Sequence, residues 1–347
     1  MLRLPLIMNS EHQRRVRIAV GIALALIVTG SALFLSIVYA KFYVIQAIQK
    51  EAADTTYTVT PFPISVDPIA KRIDFDPTRE QYIESYSTQY LTIQSSGRWF
   101  DEIVSRLSTV AWYQNLATPQ TRVLIILPGE RKEQVIRHFS QILRWDNEQT
   151  NTFTELIERT PPAFIDGTLF PGRYILAVDT TPEAAFAAIH SRFQNEIVIR
   201  YPDAYEQIVP LHDALIIASL LEREAYDFSD MRIISGVIWN RLFIDMPLQL
   251  DASLQYARLE TEPWLSNWWP VPRPADKFIN SPYNTYLNKG LPPSPIANPR
   301  AASVIAALNP KETDCLFYFH DRRAGFHCSE TYEEHVEKLV EHYGRGR

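Results

Sequence analysis

Several residue types are scarce in this chain of 347 residues, and each scarcity excludes a class of protein. Two cysteines cannot build a disulfide-rich scaffold or a four-cysteine zinc site. The chain has 11 glycines against 24 prolines, which excludes collagen-like and glycine-rich sequences and indicates many rigid turns. Charged residues make up only 21% of the chain, a share typical of a folded protein rather than a disordered one.

A net positive charge and the common hydrolase, nucleotide-binding and zinc motifs are also absent. The formal net charge is -6, which disfavours a dedicated nucleic-acid binder because phosphate contacts need a basic surface. The chain contains no G-x-S-x-G, Walker A, G-x-G-x-x-G or H-E-x-x-H pattern. His327 and His335 are eight positions apart, which is not a usual zinc spacing. The sequence therefore predicts no cofactor, no metal and no nucleic-acid partner.

The strongest feature that is present is an uncharged apolar run, Ile18 to Ala40. A bilayer core needs ~20 apolar helical residues, so this run can span it. Arg14, Arg15 and Arg17 precede the run and only Lys41 follows closely, which predicts a cytoplasmic N-terminus. A cleaved signal peptide is the alternative, but its apolar region would be only ~7–15 residues long. We therefore expect an uncleaved anchor in the cell (inner) membrane.

Patterning along the rest of the chain predicts an α+β protein. We divide it into a cytoplasmic N-terminus, a transmembrane anchor, a membrane-proximal region, a small α+β subdomain and a mainly helical domain with a β-hairpin, over residues 1–17, 18–40, 41–120, 121–195 and 196–347. In the membrane-proximal region, Tyr90–Ile93 is a short β-rich run and Phe100–Leu107 has a helical pattern.

The sequence predicts a clear order of strands and helices in the small subdomain. Val123–Leu127 is a β-rich run that ends at a Pro-Gly turn signal. Gln134–Leu143 follows with helical spacing of its apolar residues, and Ile175–Val178 is again extended in pattern. Thr181 is placed to cap a helix that starts at a proline and runs through Phe193.

The C-terminal domain is predicted to consist mainly of helices. His212–Glu224 is apolar almost all round, which predicts a buried helix. Ser229 or Asp230 is placed to cap a second helix, and Asn298 followed by proline is placed to start a third. Thr331, with Glu three positions later, predicts the start of the last helix.

A hairpin is predicted from the runs Cys315–Phe319 and Phe326–Ser329, which flank a turn with a glycine. Cys315 and Cys328 then lie at roughly opposed positions in its two arms. In an oxidising compartment they could form a disulfide, and two buried free thiols are equally compatible with the sequence.

Two glutamates at the end of the apolar helix are the first candidate for chemistry. Glu222 and Glu224 follow Leu215–Leu221 directly, and either could be half-buried against apolar walls. Burial raises the pKa of a carboxyl group, and a protonated carboxyl is what a general acid needs. At two positions apart they point in different directions and cannot form a facing pair. The alternative is a helix end where both acids are solvated.

A polar cluster follows the glutamates and forms the candidate binding set. Its members can donate or accept hydrogen bonds or stack through an aromatic ring: Asn240, Gln249, Asp251, Tyr283, Asn284, Thr285 and Tyr286. Ordinary structural roles compete with this interpretation. Asp251 could cap a short helix over Ala252–Ala257, and Asn284 and Thr285 could serve a turn.

Three tryptophans, Trp264, Trp268 and Trp269, could stack on sugar rings. Packing against the protein is the commoner use of such residues.

Taken together, the ordered motifs resemble the endolytic murein transglycosylases of the MltG (YceG-like) family. The resemblance covers about residues 120–340 and rests on motifs that occur in this order: Ala218–Glu224, Asn240–Leu242, Met246–Asp251, Ser281–Tyr286, Gly290–Pro293, Ile296–Pro299 and His327–Thr331 with His335. It implies that the small subdomain is LysM-like and that Glu222, the first Glu of the family's E-[KR]-E motif, is the catalytic residue. It also implies that the binding set holds the sugar or orients Glu222.

This chain departs from the family pattern at several loop positions. Leu250 stands where the family usually has Thr, and Ala252 and Ser253 replace a usual Pro-Thr. Ser294 and Arg300 stand where Gly is common. These departures bear on loop geometry and substrate fit and leave the candidate residues themselves intact.

The function implied by the resemblance is cleavage of the β-1,4 bond between N-acetylmuramic acid and N-acetylglucosamine within nascent glycan strands, leaving 1,6-anhydro ends and terminating elongation. The expected partners are peptidoglycan strands, the lipid bilayer through residues 18–40, and peptidoglycan synthases. Two alternatives remain open: a hydrolytic muramidase that uses Glu222 with Asp251, and a non-catalytic peptidoglycan-binding protein.

Overall fold

The described part of the N-terminal unit is a single long helix. The computed structural model describes residues 10–53, 60–95, 121–159 and 166–344. Helix α1 spans Ser10–Ala53 and belongs to a unit separate from the rest of the chain. It contains a segment of 23 residues, Arg14–Ser36, that is long and apolar enough to cross a membrane. A membrane anchor at this end of the chain is therefore consistent with the structure.

In the described residues of the second unit, helices are combined with three short antiparallel sheets. Its helices are α2 (Pro77–Ser95), α3 (Lys132–Leu143), α4 (Asn147–Glu158), α5 (Pro182–Glu196), α6 (Leu211–Glu224), α7 (Phe228–Phe243), α8 (Asp251–Thr261), α9 (Ala301–Leu308) and α10 (Tyr332–Tyr343). Its strands pair as β1 (Val66–Asp67) with β2 (Arg72–Ile73), β3 (Thr121–Ile126) with β4 (Gly172–Ala177), and β5 (Phe317–His320) with β6 (Phe326–Ser329).

The core of this unit is built around α6. Leu215, Ile217, Leu220 and Leu221 are all fully buried, which confirms the prediction of a helix covered on every side. Helix α9, every residue of which is buried, packs against it. Burial of each large aliphatic side chain contributes ~1.5–3 kcal/mol, so this pair of helices accounts for a large part of the hydrophobic stabilisation.

Part of the membrane-proximal region belongs to the same core. The side chain of Phe62 is fully buried in the α6 cluster, and its N–H donates to the carbonyl of Arg200 at 2.9 Å. Arg232 on α7 pairs with Glu80 on α2, with N–O distances of 2.6 and 2.8 Å. Residues 60–95 are thus tied to the helical domain by packing and by an ion pair.

One prediction for this region is wrong. Tyr90–Ile93 was expected to be extended and lies within α2. The helix begins at Pro77, just after Asp76, whose side chain accepts from the N–H of Thr78 at 2.8 Å. These helix-start signals outweigh the β preference of a four-residue run. The helical run predicted at Phe100–Leu107 lies outside the described residues.

The small subdomain follows its predicted order, with one extra helix. Strands β3 and β4 pair antiparallel, with Leu124 opposite Tyr174. Helices α3 and α4 contribute Phe139 and Phe153 to a separate apolar core, where the two rings stack at 5.6 Å. Helix α4 was not predicted, although its start carries a capping box in which the Asp146 side chain accepts from the N–H of Gln149.

The side chain of Asn298 joins the two parts of this unit. Its Oδ1 accepts from the N–H groups of Gly167 and Leu169, each at 2.9 Å, and its Nδ2 donates to the carbonyl of Glu130 at 2.8 Å. The residue is completely buried. Asn298 was expected to start a helix, but α9 begins three positions later and Arg300 occupies the N-cap position. The Asn298 side chain does not cap the helix, because its amide forms hydrogen bonds across the junction with the small subdomain.

A second helix start is also shifted. Helix α7 begins at Phe228 and its N-cap is Asp227, whose side chain accepts from the N–H of Asp230 at 2.9 Å. Ser229 and Asp230 were the expected caps. Asp230 instead lies inside the helix, where its carboxyl accepts from the N–H of Tyr226.

The C-terminal hairpin is confirmed as β5 and β6, with Tyr318 opposite Cys328. Cys315 lies just before β5 and forms a disulfide with Cys328. Of the two possibilities that the sequence left open, the structure therefore has the bridge. The last helix begins as predicted, since the Thr331 side chain accepts from the N–H of Glu334 at 3.2 Å.

Replacement of Asn298 by Ala should lower the free energy of unfolding by about 3 kcal/mol or more, because it leaves several buried backbone groups without a partner. Denaturant unfolding of the full chain in detergent measures this. Asn288→Ala is the matched control, because Asn288 also donates to two carbonyls but is exposed. Equal costs for the two variants would contradict the assigned role of Asn298.

Candidate active site

The carboxyl group of Glu222 is held between the end of α6 and the start of α9. The side chain is only 1% exposed, so the expectation of a solvated acid at this position is wrong. Its Oε1 accepts from the backbone N–H of Arg300 at 2.9 Å and from the hydroxyl of Ser303. Both donors belong to the first turn of α9 or its cap, where the helix dipole favours a negative charge.

The guanidinium of Arg300 completes the surroundings of Glu222. Its Nε lies 2.8 and 3.1 Å from the two carboxylate oxygens, and its Nη2 lies 2.8 Å from Oε2. A bidentate pair of this kind is among the stronger charge-assisted interactions in proteins. Both carboxyl oxygens of Glu222 are therefore bound by hydrogen-bond donors.

The turn between β3 and α3 contacts the end of α6. Gly129 has a φ of +80°, and a side chain there would lie 3.3 Å from Arg223 and 3.8 Å from the β-carbon of Glu222. The N–H of Gly129 donates to the carbonyl of Asn298 at 2.9 Å. Glycine suits both the positive φ and the close approach, and it brings the small subdomain next to Glu222.

Glu224 occupies a different environment. The N–H of Ala252 and the hydroxyl of Tyr318 each donate to its carboxyl at 3.0 Å. Burial raises the pKa of Glu224, and the nearby charge of Asp251 acts in the same direction. The elevated carboxyl pKa that the sequence allowed for either glutamate is thus found at Glu224.

Part of the predicted binding set gathers beside Glu224. Asp251 is exposed and accepts from the hydroxyl of Tyr286 at 2.8 Å. Asp251 does not cap α8, since Leu250 is at the N-cap and Asp251 is the first helical residue. Gln249 has an exposed side chain and a φ of +48°, a strained conformation for a residue other than glycine. Gln249 and Asp251 are exposed and Tyr286 is partly exposed, so these three side chains can contact a ligand.

The other predicted binding residues form hydrogen bonds within the protein. The side chain of Asn240 donates to two backbone carbonyls, those of Thr313 and Cys315. The side chain of Asn284 donates to two others. Asn284 and Thr285 are almost completely buried, as expected for the turn role. The hydroxyl of Thr285 accepts from the N–H of Leu250 at 3.0 Å and so holds the Gln249–Asp251 segment in place.

Tyr283 lies at the junction with the small subdomain. Its hydroxyl is 2.6 Å from that of Ser294, and its ring packs on Tyr256 with centroids 4.6 Å apart. The Tyr256 hydroxyl donates to buried Asp166 at 2.9 Å, and the N–H of Lys132 donates to the other oxygen at 2.7 Å. Burial raises the pKa of Asp166 well above its usual value.

Glu130, beside Gly129, is a second buried acid in this junction. It is 6% exposed, and one of its oxygens accepts from the N–H of Leu127 at 3.1 Å. Burial raises its pKa to about 7. Neither Glu130 nor Asp166 is predicted as a site residue from the sequence.

The tryptophans divide between two environments. Trp268 and Trp269 lie under the guanidinium groups of Arg137 and Arg223, at 4.8 and 4.0 Å. Trp264 is 76% exposed. Stacking on a sugar stays a prediction for these residues, with Trp264 the most accessible of the three.

One group of potential metal ligands occurs among the described residues. Donor atoms of Asp321, His327 and His342 lie within 4.8 Å of one another and could hold a divalent cation. His327 Nε2 is 2.9 Å from Asp321 Oδ2, so the group is also held by a His–Asp hydrogen bond. The hydrogen bond from His327 and those from two backbone N–H groups lower the pKa of Asp321. Sequence spacing had paired His327 with His335, and the helical turn that places His342 here was not considered.

Two residues that contact Glu222 directly are not predicted from the sequence. Ser303 and Arg300 lie about 80 positions away, and no local spacing links them to the glutamate. The only indication in the sequence was that Arg300 is one of the residues that differ from the family pattern. Tyr318, the partner of Glu224, was seen only as part of a hairpin strand.

Comparison with known proteins gives a consistent set of relatives. The YceG-like family model matches residues 89–341. Two curated relatives are each named endolytic murein transglycosylase. The one from Streptococcus pneumoniae R6 is 30% identical over 179 residues, or 51% of this chain and 32% of the relative. The one from Bacillus subtilis 168 is 34% identical over 180 residues, or 52% of this chain and 48% of the relative.

The matches to these curated relatives thus span half or less of the relatives' own length. Among solved structures, a YceG-like protein from Listeria monocytogenes matches with a TM-score of 0.54 and 26% identity. That match covers 69% of this chain and 80% of the Listeria chain.

The buried acids of the junction predict a pH dependence of stability. For a carboxyl whose folded-state pKa is raised, the folded state binds the proton more tightly than the unfolded state. Stability is therefore greatest below the unfolded pKa, near 4.5 for Glu130, and falls as pH rises through about 7. We expect a lower melting temperature at pH 8 than at pH 5, with Glu130 contributing up to about 3 kcal/mol.

Thermal unfolding of Glu130→Gln across this range tests the assignment. The variant should show a flatter dependence than wild type, whereas Glu148→Gln, at an exposed position on α4, should not. Parallel curves for wild type and Glu130→Gln would show that Glu130 is not the titrating group.

Proposed function

This chain belongs to the YceG-like family, and from that membership we propose that it is a lytic transglycosylase that cleaves peptidoglycan strands at internal positions. The observation that supports the proposal is the buried carboxyl of Glu222 at the end of α6. The resemblance to the family implies that this residue is the catalytic glutamate. Burial gives this group the shielded surroundings that proton transfer to a sugar bond needs.

The proposed reaction uses Glu222 twice. In its protonated form it donates to the oxygen of the bond between N-acetylmuramic acid and N-acetylglucosamine. The muramoyl centre becomes oxocarbenium-like, assisted by its own acetamido group. Glu222, now ionised, removes the proton of the C6 hydroxyl, and that oxygen closes onto C1. The product is a 1,6-anhydro end, and no water is consumed, so a second carboxylate is not required.

The binding set divides into two roles in this proposal. Gln249, Asp251 and Tyr286 contact the sugar, because their polar groups lie at or near the surface beside Glu224. The other members, Asn240, Tyr283, Asn284 and Thr285, act by holding the loops that carry them. Their polar atoms already have partners within the protein.

The remaining parts of the chain fit a membrane-proximal enzyme. The β-α-α-β order of residues 121–177 supports a LysM-like subdomain that binds glycan. Helix α1 would anchor the chain with its N-terminus in the cytoplasm, which limits the enzyme to strands near the membrane, where they are newly made. We therefore propose that it terminates nascent strands and works alongside peptidoglycan synthases.

Product analysis on purified glycan strands tests the proposal. Glu222→Gln should keep the fold and lower the rate of cleavage by about 100-fold or more, because the acid–base group is lost. Glu80→Gln is the matched control, since Glu80 also pairs with an arginine but lies on α2. Wild-type activity in Glu222→Gln would remove Glu222 from the mechanism.

Mass spectrometry of the released fragments identifies the reaction. Anhydro products, lighter by one water than hydrolysis products, are expected from wild type. Hydrated ends would identify a muramidase, and Asp251→Asn would then show whether Asp251 is its second carboxylate. Strand binding without any product would identify a non-catalytic peptidoglycan-binding protein.

A further inference from the structure

Three side chains of the C-terminal hairpin and the last helix direct a potential metal-binding atom to the same point. Oδ2 of Asp321 lies 2.9 Å from Nε2 of His327 and 3.8 Å from Nδ1 of His342. All three atoms lie within 4.8 Å of one another. A tetrahedral zinc site with bonds of about 2.0–2.2 Å separates its ligand atoms by about 3.3 Å. The two distances from Oδ2 are close to that value, so small side-chain rotations bring the three atoms around one ion.

The turn between β5 and β6 fixes the orientation of the Asp321 carboxylate. Its Oδ1 accepts from the N–H of Arg323 at 2.7 Å and from that of Gly325 at 2.9 Å. A β-carbon at position 325 would lie 2.7 Å from Oδ2, so glycine is needed there to leave room for the carboxylate. One oxygen thus holds the group in place while the other faces the two histidines. Metal ligands in proteins are commonly oriented by supporting hydrogen bonds of this kind.

The two imidazole rings are held by packing around Phe319. The ring of His327 stacks on that of Phe319 with centroids 5.0 Å apart, and the ring of His342 meets it edge-on at 5.8 Å. The two imidazole centroids are 4.0 Å apart. The ligands come from three different elements, because Asp321 lies in the turn, His327 on β6 and His342 in the last turn of α10. Packing of these rings reduces the conformational entropy that is lost when an ion binds.

The set of donor atoms selects the class of ion. Two imidazole nitrogens and one carboxylate oxygen suit zinc and the neighbouring divalent metals of the first transition row. Magnesium and calcium prefer a shell of six or more oxygens, which this set does not supply. Three protein ligands also leave a position for a water molecule, as in open zinc sites.

We propose that Asp321, His327 and His342 form a binding site for a divalent transition-metal ion such as zinc, with water as the fourth ligand. The ion binds to Oδ2, Nε2 and Nδ1 and replaces the hydrogen bond between Asp321 and His327. Each neutral imidazole keeps its proton on the nitrogen that does not bind the ion. The ion links the turn, β6 and α10, and so stabilises the hairpin that carries Tyr318, the donor to Glu224. This role is independent of the proposed reaction.

Titration calorimetry with ZnCl2 tests the inference on the full chain in detergent, with any affinity tag removed. Wild type should bind one Zn²⁺ per chain, and MgCl2 should give no binding. His342→Ala, which removes a ligand, should weaken Zn²⁺ binding by about 100-fold or more. Gly325→Ala displaces the carboxylate without removing a ligand and should weaken binding by about tenfold or more, as expected for a disturbed supporting group.

His190→Ala is the matched control, because His190 is an exposed histidine on α5 and its loss should leave Zn²⁺ binding unchanged. Circular dichroism checks that each variant folds. Should His342→Ala not fold, Asp321→Asn gives the same test. The asparagine oxygen can still accept from the two N–H groups of the turn, while its NH2 group cannot bind the ion.

X-ray absorption at the zinc edge identifies the ligands, and wild type should show two imidazoles. Zn²⁺ should also raise the melting temperature of wild type more than that of His342→Ala. The inference is overturned if wild type does not bind Zn²⁺, if it binds Mg²⁺ equally well, or if His342→Ala keeps the wild-type affinity. A different number of imidazoles, or equal changes in the two melting temperatures, would overturn it as well.

Discussion

The structure depends on how a buried acidic side chain is accommodated at the end of the central helix. Helix α6 is buried from Ala214 to Leu221, and its last three residues are only partly exposed. Glu222 is taken up by the start of α9, through the backbone N–H of Arg300, the Ser303 hydroxyl and the guanidinium. The buried carboxyl group thereby links the two central helices, because loss of any one donor would leave one of its oxygens with fewer hydrogen bonds.

The small subdomain takes part in this arrangement through Asn298. This one amide satisfies three backbone groups of residues 130–169, and its own carbonyl accepts from Gly129, which lies against Glu222. A module that could otherwise move independently is therefore held next to the candidate catalytic group. The buried acids Glu130 and Asp166 lie in the same junction, so its strength should vary with their protonation.

The sequence was sufficient for those elements whose signals are local. The buried helix α6, the strand and helix order of residues 121–196 and the C-terminal hairpin follow from periodicity, turn residues and caps. Sequence-based prediction failed where a contact between residues far apart in the chain determines the role of a side chain. The sequence around Asn298 is typical of a helix N-cap, but its side chain forms hydrogen bonds across the junction with the small subdomain. The sequence places Arg300 in a loop, but its side chain binds Glu222. Helix α4 is different, because its capping box was present in the sequence and was overlooked.

The disulfide has a consequence for the second glutamate. Cys315 and Cys328 are 13 positions apart and close a loop that contains β5. Tyr318, which donates to Glu224, lies on that strand opposite Cys328. Cross-linking a loop of this size removes conformational freedom from the unfolded hairpin, worth about 3 kcal/mol. The tyrosine is thus kept in position by a bond that reducing surroundings would open. The environment of Glu224 is in this way coupled to the redox state of the compartment in which the chain folds.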